Sequence, residues 1–404
     1  MFTLDSDTLK ALLDAVSRAT SISHPMYAVV SLNVSGGRIS IAGFNGEFGI
    51  EARAGANGDG EMSVCVNAAT FHEIAGTISG LVSLGIDPKA KNKLKLESGA
   101  SKSTLNIVDS EAFPPIDSDK SVPVINLSGS VLKSIGRVLS FTSAEESRPA
   151  LKGAILCLST NALDAYAADG FTGAWVSEPI TGGPETPKNM LLPAKFLREL
   201  LKLVSADDDV AVKVVDEKRY IFHVTNKKGK EITLTSSVID GAFPLEGIKS
   251  LYAGENSTSR ILTTVPKAAL NIAIRHVAAM GTQNMFLCAS KGFLRAASPE
   301  TEIGQARNTL ANNVSGEFKL WVRADYVLRA IESLGTEVQV TFVNGKSPLY
   351  FKGETFRAMV MPVDASLKEP VFDDDPQEAL ALETAVAEMP APAAEQAEGE
   401  TAAA

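Results

Sequence analysis

The stretch Leu191-Leu-Pro-Ala-Lys-Phe-Leu-Arg-Glu-Leu-Leu-Lys-Leu-Val204 has the periodicity of an amphipathic helix. Pro193 stands where a first helical turn tolerates proline. Apolar residues at the spacing i, i+3, i+4, i+7 form one stripe along the helix: Leu197, Leu200, Leu201 and Val204. Three basic residues share another face: Lys195, Arg198 and Lys202. Taken alone, a basic face of this kind is usually only a solvated surface.

This helical pattern occurs three times in the chain. Residues 66–74 align with residues 192–200 at an offset of 126, and these align with residues 322–330 at an offset of 130. A second marker agrees, because Glu111-Ala-Phe-Pro-Pro115 is followed 130 residues later by Gly241-Ala-Phe-Pro-Leu245. Independent markers with one period predict three homologous domains.

The elements follow the same order within each repeat. A helix opens it, short strands rich in β-branched residues follow, a second helix comes next, and two more strands close it. The opening helices are predicted at residues 7–20, 129–143 and 266–280. Two helices and about eight antiparallel strands per repeat predict an α+β fold. The predicted domains are residues 1–120, 121–253 and 254–364, followed by a tail at 365–404.

The acidic charge of the chain is concentrated in that tail. The net charge is −10, of which residues 365–404 contribute ten acids and one base. The remainder is nearly neutral and can hold a basic face, so the acidic total does not exclude a nucleic-acid partner. The Ala-, Glu- and Pro-rich composition of the tail offers little apolar surface to bury, which predicts a disordered acidic tail.

The residues that usually carry catalysis or bind metals form no recognisable cluster. The four histidines lack metal-ligand spacing, and no nucleophile–base pair can be assigned, so we expect a non-enzyme without cofactors. Cys65, Cys157 and Cys288 lie in apolar runs typical of buried thiols. There is no run of eighteen apolar residues and no visible secretory signal, so we expect a cytoplasmic protein without a membrane span.

Basic residues also recur on the helices that open the repeats. Equivalent basic faces in three repeats favour a surface that follows DNA phosphates without reading bases, although solvated faces remain the alternative. The predicted DNA-binding residues on the opening helices are Lys10, Arg18, Lys133, Arg137, Lys267 and Arg275, and the second helix of the second repeat adds Lys195, Arg198 and Lys202.

Four motifs taken together resemble the bacterial DNA polymerase sliding clamp, the β subunit of the replicative polymerase. They are Arg148-Pro-Ala-Leu-Lys-Gly-Ala-Ile-Leu156, Ala167-Ala-Asp-Gly170, Val238-Ile-Asp-Gly-Ala-Phe-Pro244 and Met359-Val-Met-Pro362. The resemblance covers roughly residues 1–363. It implies a three-domain protomer of the DNA-clamp fold, and two protomers that close head-to-tail into a ring around double-stranded DNA. Such a processivity factor tethers the replicative DNA polymerase, the clamp loader and other proteins with clamp-binding peptide motifs.

The resemblance also implies positions for both binding surfaces. It adds Arg148 to the DNA-binding residues, in a nucleoid-associated protein. It further implies a groove for partner peptides, with these positions: Leu151, Gly170, Phe171, Thr172, Pro244, Met359, Val360, Met361, Pro362 and Val363.

The sequence departs from the family pattern at three places. Phe171-Thr-Gly173 stands where most clamps have His-Arg-Leu, which predicts an altered partner preference. Pro149 and Ala150 replace family DNA contacts, which predicts weaker or redistributed DNA contact. The acidic tail is an addition that we expect to compete with DNA or to shield the groove. These losses leave a second hypothesis open, a clamp-fold peptide-binding hub that does not encircle DNA.

Overall fold

The computed structural model describes residues 1–108, 113–116, 120–227, 229–256, 260–311, 314, 316–363 and 367–372. Most of the predicted acidic tail therefore lies outside the described residues, as do the first two residues of the marker at Glu111. The chain divides into two compact units. One comprises Met1–Gly170 and Trp175–Phe243, and the other comprises Phe171–Ala174 and the chain from Pro244 onward.

The first repeat contains, within its described part, the eight strands and two helices that the sequence predicts. Its helices are α1 (Ser6–Ser17) and α2 (Ala68–Thr77). Its strands are β1 (Phe2–Asp5), β2 (Val29–Ser35), β3 (Arg38–Phe44), β4 (Phe48–Gly55), β5 (Met62–Asn67), β6 (Leu81–Asp87), β7 (Ala90–Ser98) and β8 (Ser101–Asn106).

The second repeat has the same order of elements. Its helices are α3 (Gly129–Ile135) and α4 (Ala194–Leu203). Its strands are β9 (Val122–Ser128), β10 (Gly153–Leu158), β11 (Ala162–Ala168), β12 (Thr172–Pro179), β13 (Lys188–Pro193), β14 (Asp209–Val215), β15 (Arg219–Thr225) and β16 (Glu231–Ser237).

The third repeat follows an additional helix, α5 (Leu245–Gly254), which the sequence reading did not predict. Its own helices are α6 (Lys267–Ala278) and α7 (Ala324–Glu332). Its strands are β17 (Ile261–Pro266), β18 (Asn284–Ser290), β19 (Phe293–Ala297), β20 (Arg307–Ala311), β21 (Phe318–Arg323), β22 (Glu337–Phe342), β23 (Leu349–Lys352) and β24 (Phe356–Val360). No helix in the described part of the chain is long and apolar enough to cross a membrane.

The repeated marker corresponds to the second helix of each repeat. These helices begin at Ala68, Ala194 and Ala324, so their starts have the same offsets as the sequence motifs. The prediction that the central helix already includes Leu191 and Pro193 is wrong. Both belong to β13, where Leu191 pairs with Ile155, and Pro193 is the cap before α4. The strand extends this far because Leu191 and its neighbour are buried against β10.

The opening helix of the second repeat is shorter than residues 129–143. It changes after Ile135 to a 3-10 helix, Gly136–Phe141. A side chain at Gly136 would collide with the Leu201 side chain of α4, so glycine permits the close approach of the two helices.

The sheets of the first two repeats join edge to edge. The strand order is β5-β2-β3-β4-β16-β15-β14-β9, and the contact between repeats is the antiparallel pairing of β4 with β16, from Phe48–Ser236 to Arg53–Glu231. Phe196 of α4 lies over this junction, with its ring centroid 6.0 Å from that of Phe48 and 5.4 Å from that of Phe222. The junction is therefore fixed by backbone hydrogen bonds and by a shared aromatic core.

Two further sheets have edge strands. The sheet of the first repeat is ordered β1-β6-β7-β8, and a sheet of the third repeat is ordered β20-β19-β18-β21. Among the described residues, β8 and β20 therefore each have one side that pairs with no neighbouring strand.

The end of α4 is fixed by a buried carboxylate, Asp208, which is 1% exposed. It accepts hydrogen bonds from Lys230 Nζ at 2.6 Å, from the Ser205 amide at 2.8 Å and from Asn226 Nδ2 at 3.2 Å. Lys230 Nζ also donates to the carbonyl oxygen of Leu203, the last residue of α4. Burial acts to raise the pKa of Asp208, but these hydrogen bonds outweigh it and hold the pKa below the ordinary value of 3.8.

We predict that Asp208→Asn lowers the free energy of unfolding by about 2–3 kcal/mol at pH 7, because Lys230 would lose its buried carboxylate. A depressed pKa stabilises the fold above the ordinary pKa and loses this effect as the pH falls through the folded value. The difference between the wild type and Asp208→Asn should therefore be constant from pH 7 to 5 and shrink below about pH 4. Urea unfolding followed by circular dichroism measures this difference in the free energy of unfolding. The control is Asp207→Asn, a substitution at the exposed neighbouring residue. An equal loss in both variants would contradict this role.

Candidate functional site

Lys195 and Lys202 of α4 have well-exposed side chains, with 62% and 55% of the side chain accessible. Each already has an acidic partner. Lys195 Nζ lies 2.9 Å from Glu47 Oε2, and Lys202 Nζ lies 2.7 Å from Glu199 Oε1. The Lys195–Glu47 pair is exposed on both sides, and such pairs are worth about 0–1 kcal/mol, so Lys195 can exchange its carboxylate for a phosphate at small cost. The Glu199 side chain is only 17% exposed, so its pair with Lys202 is half-buried.

Glu199 brings two of the predicted residues together. It accepts from Lys202 and, at 3.2 Å, from Arg18 Nη1. Arg18 follows α1 of the first repeat, so this contact connects the helices of two repeats within one compact unit. Partial burial acts to raise the pKa of Glu199, but the hydrogen bonds from Lys202 and Arg18 lower it. Glu199 is therefore ionised at neutral pH and offsets part of the positive charge on this face.

Three of the predicted residues cap the ends of neighbouring helices, and we call them the capping cations: Lys133, Arg198 and Lys267. Lys133 Nζ donates to the Leu201 carbonyl in the last turn of α4. Arg198 Nη2 donates to the Leu139 carbonyl at 2.7 Å and to Thr142 Oγ1 at 3.0 Å.

In the third repeat, Lys267 Nζ donates to the carbonyls of Glu332 and Leu334 at 2.7 and 2.9 Å, at the end of α7. The last carbonyls of a helix lack intrahelical donors and carry partial negative charge. The capping cations therefore hold paired helices together in addition to contributing charge to the surface.

The other four predicted residues have local partners. Lys10 Nζ lies 3.9 Å from Asp7 Oδ1, and Arg275 Nε donates to Asn271 Oδ1 at 2.6 Å. Arg148 Nε lies 3.3 Å from Glu145 Oε2, next to a 3-10 helix. Arg137 is half-buried, and burial lowers its pKa while the carboxylate of Glu178, 3.6 Å away, opposes that shift. A guanidinium stays charged under these conditions, so Arg137 keeps its positive charge at neutral pH.

The predicted groove residues in the second compact unit centre on Phe171, which is 47% exposed. Its ring stacks on that of Tyr326, with centroids 6.2 Å apart and 28° between the planes. The Met361 amide donates to the Phe171 carbonyl at 2.8 Å. Phe171 is thus held by α7 on one side and by the chain after β24 on the other.

Arg329 and Tyr326 of α7 complete this arrangement, although the sequence reading did not include them. Arg329 Nη2 donates to Thr172 Oγ1 at 3.0 Å, and its guanidinium lies 5.1 Å from the Tyr326 ring centroid. Arg323 lies over the same ring at 4.6 Å. The signal that could have revealed them is the repeat marker at residues 322–330, which contains all three. The exposed Phe171 ring, stacked on the half-buried Tyr326 ring, is suited to contact with an apolar peptide side chain.

The remaining groove positions differ in accessibility. Met359, Val360 and Thr172 are buried, at 4%, 0% and 2% exposure, so their side chains serve the core of the unit. Met361, Pro362 and Val363 are half-buried, and Pro244 is exposed.

Leu151 and Gly170 belong to the first compact unit. Leu151 is half-buried in the 3-10 helix Pro149–Lys152. Gly170 has a φ of +96°, and a side chain there would collide with the Arg148 guanidinium. The positive φ favours glycine at this position of the Asp-Gly motif, whereas the Arg148 side chain is flexible enough to move aside. Among the residues that the structure describes, no group of three or more His, Cys, Asp or Glu side chains could hold a metal ion.

Comparison with known proteins identifies relatives along most of the chain. Residues 126–245 match the family model described as DNA polymerase III beta subunit, central domain. The beta sliding clamp of Bacillus subtilis is 24% identical over 389 residues, which cover 90% of this chain and 99% of the relative. The beta sliding clamp of Pseudomonas putida is 27% identical over 224 residues, which cover 54% of this chain and 59% of the relative.

Solved structures agree on the fold. The DNA polymerase sliding clamps from Pseudomonas aeruginosa and Bacillus subtilis each superpose with a TM-score of 0.81 at 20% identity, over 90% of this chain and 99% of theirs. The clamp from Caulobacter crescentus gives a TM-score of 0.79 at 22% identity, over the same shares. The α+β architecture predicted from the repeats and the clamp fold implied by the resemblance are thereby confirmed. The central repeat matches the family model, and the chain is similar to beta sliding clamps over nine-tenths of its length.

Proposed function

We propose that this protein is a DNA sliding clamp, a non-catalytic processivity factor that encircles duplex DNA and tethers the replicative polymerase. The observation that carries the proposal is the likeness to proteins named beta sliding clamp over nine-tenths of the chain, in the order of its three repeats. We further propose that the protein acts in the bacterial cytoplasm, where the chromosome and the clamp loader are found.

The edge strands support a closed ring. Within one chain, β4 and β16 already join two sheets by antiparallel pairing. Strands β8 and β20 end their sheets among the described residues, and such edges favour pairing with another chain. In a head-to-tail dimer, β8 of one protomer would pair with β20 of its partner, and the same contact would form twice and close the ring.

The basic helix faces support sequence-independent contact with DNA. Lys195, Lys202 and Arg18 carry charge on exposed, flexible side chains whose present partners are surface carboxylates. Contacts of this kind follow phosphates, weaken with salt and specify no sequence, which suits a ring that slides.

We also propose that partner peptides from the polymerase and the clamp loader bind around Phe171. The exposed ring, the half-buried Met361 and Pro362, and the two guanidinium groups beside Tyr326 favour an apolar peptide. Phe171 stands where the family pattern has histidine, so an aromatic or aliphatic residue should be preferred at the contacting position.

A clamp-fold hub that binds peptides without encircling DNA is the second candidate. It is favoured by the observation that the ten predicted DNA-binding side chains all have partners within the chain, including the three capping cations. The two functions differ in assembly and in retention on circular DNA.

We predict that the protein is a dimer with twice the 42.6 kDa mass of one chain, because pairing of β8 with β20 satisfies both edges. Size-exclusion chromatography with light scattering measures the mass. After loading with its clamp loader, the protein should remain on nicked circular plasmid and leave when the plasmid is linearised. A monomer, or equal retention on linear and circular DNA, would contradict encirclement.

We predict that Lys195→Glu with Lys202→Glu weakens DNA retention severalfold without changing the dimer, because two phosphate contacts are lost. The slope of log affinity against log salt should become shallower by about 2. The charge-matched control is Lys249→Glu with Lys346→Glu, at two exposed lysines away from this helix. Arg198 is left unchanged, since its capping hydrogen bonds would confound the result. Equal effects of both double variants would argue against this face.

We predict that Phe171→Ala lowers the affinity for a fluorescent peptide from the clamp-binding segment of the replicative polymerase by about tenfold or more, as expected for an exposed aromatic contact. Fluorescence polarisation measures the affinity. The control is Leu262→Ala, at an apolar side chain of similar exposure, 41%, on β17. An unchanged affinity for Phe171→Ala would remove this residue from the groove.

A further inference from the structure

The sheet β20-β19-β18-β21 of the third repeat carries a hydrophobic cluster that the proposed clamp function does not use. Phe286, Cys288 and Trp321 are 2%, 3% and 7% exposed, and they form a cluster of their own. Phe286 pairs with Trp321 across β18 and β21, and Cys288 lies two residues further along the same face of β18. Met285 and Leu287, which alternate with them, are also buried, on the opposite face. Strand β18 is therefore buried on both faces and must be covered on each.

The equivalent strand of the first repeat is β2, which follows the opening helix as β18 does. Val30 and Leu32 on one of its faces and Val29 and Ser31 on the other are also buried. Burial of both faces is therefore shared by this strand in the first and third repeats, and the question is what covers β18.

Residues 367–372, which we call the C-terminal segment, lie over this cluster. They follow the part of the chain that resembles clamps. Phe372 packs against the cluster together with Val363. The guanidinium of Arg295, a residue only 1% exposed, lies 5.5 Å from the Phe372 ring centroid and 4.5 Å from that of Phe293. The aromatic side chain therefore covers apolar surface and a buried cation together.

Two polar contacts fix the path of the chain. The Val363 amide donates to the Trp321 carbonyl at 2.8 Å, which directs the chain along β21. Glu369 Oε2 then lies 2.8 Å from Lys319 Nζ, on the residue that pairs with Cys288. Both groups are exposed, so this ion pair sets the register of the segment more than its affinity.

We propose that this face is a docking surface whose occupant is the chain's own C-terminal segment, recognised by an acidic residue at Glu369 and an aromatic residue three positions later at Phe372. The segment is covalently attached, so its effective concentration is high and it closes the surface by default. A free peptide of the same chemistry competes only when the segment is released. The surface is formed by β18, β19 and β21, so it differs from the positions proposed for polymerase peptides around Phe171.

Cys288 provides a direct report of docking. Burial raises the pKa of Cys288 to about 11, although the nearby charges of Arg295 and Lys319 act to lower it. When the segment leaves, the burial is reduced while both cations remain. The thiol then becomes more accessible and more ionised, and both changes speed alkylation.

The experiment measures alkylation of Cys288 by N-ethylmaleimide in the full-length protein, followed by intact mass. It uses a Cys157→Ser background, because Cys157 is the more accessible of the other two thiols. We expect Phe372→Ala to raise the rate at least about tenfold, as for loss of an anchor residue. Glu369→Gln should raise it roughly twofold to fivefold. Val371→Ala is the matched control, since Val371 is 67% exposed, and should leave the rate unchanged.

A second arm tests recognition in trans. A synthetic peptide with the sequence of residues 367–375 should slow the alkylation of Cys288 in the Phe372→Ala protein, and the same peptide carrying Phe372→Ala should not. Equal rates for the wild type and Phe372→Ala, or no protection by the wild-type peptide, would overturn the proposal. The readout needs no DNA and no polymerase, so its failure is separate from a failure of the clamp function.

Discussion

The antiparallel pairing of β4 with β16 is the contact on which the first compact unit depends. It joins two repeats through the backbone, and a slip of one residue would turn every side chain of one strand to the wrong face. Phe196 seals the junction from the helical side by contact with Phe48 and Phe222. The position of α4 follows from this, and so does the approach of Arg18 to Glu199. A surface charge pattern thus rests on a backbone register in the sheet below it.

Much of the fold could be predicted from the sequence because each helix and strand occurs once in each of three repeats. The starts of α2, α4 and α7 agree with the motif offsets. The predicted secondary structure was wrong where tertiary contacts determine whether a residue joins a helix or a strand. Leu191 begins the stretch that the helical pattern covers, but its pairing with Ile155 makes it part of a strand.

The unpredicted helix α5 illustrates a different limit. Leu245, Ile248 and Tyr252 have helical spacing and are its buried residues. These residues span little more than two turns and stand outside the elements that the three repeats were predicted to share. The site was likewise only partly predictable. Periodicity could identify which basic residues share a helix face, but the carbonyls that the capping cations bind lie on elements about 60 residues away, where no local pattern shows them.

The capping cations have a consequence for how this protein can evolve. Lys195 loses only an exposed ion pair when replaced, and Lys202 loses a pair with the half-buried Glu199, so substitutions there chiefly alter the charge of the surface. Replacing Lys133, Arg198 or Lys267 by an apolar residue removes a hydrogen bond to a helix-end carbonyl. Selection for folding should therefore keep a minimum of positive charge on the helices even in a descendant that no longer meets DNA, while the exposed lysines are free to drift.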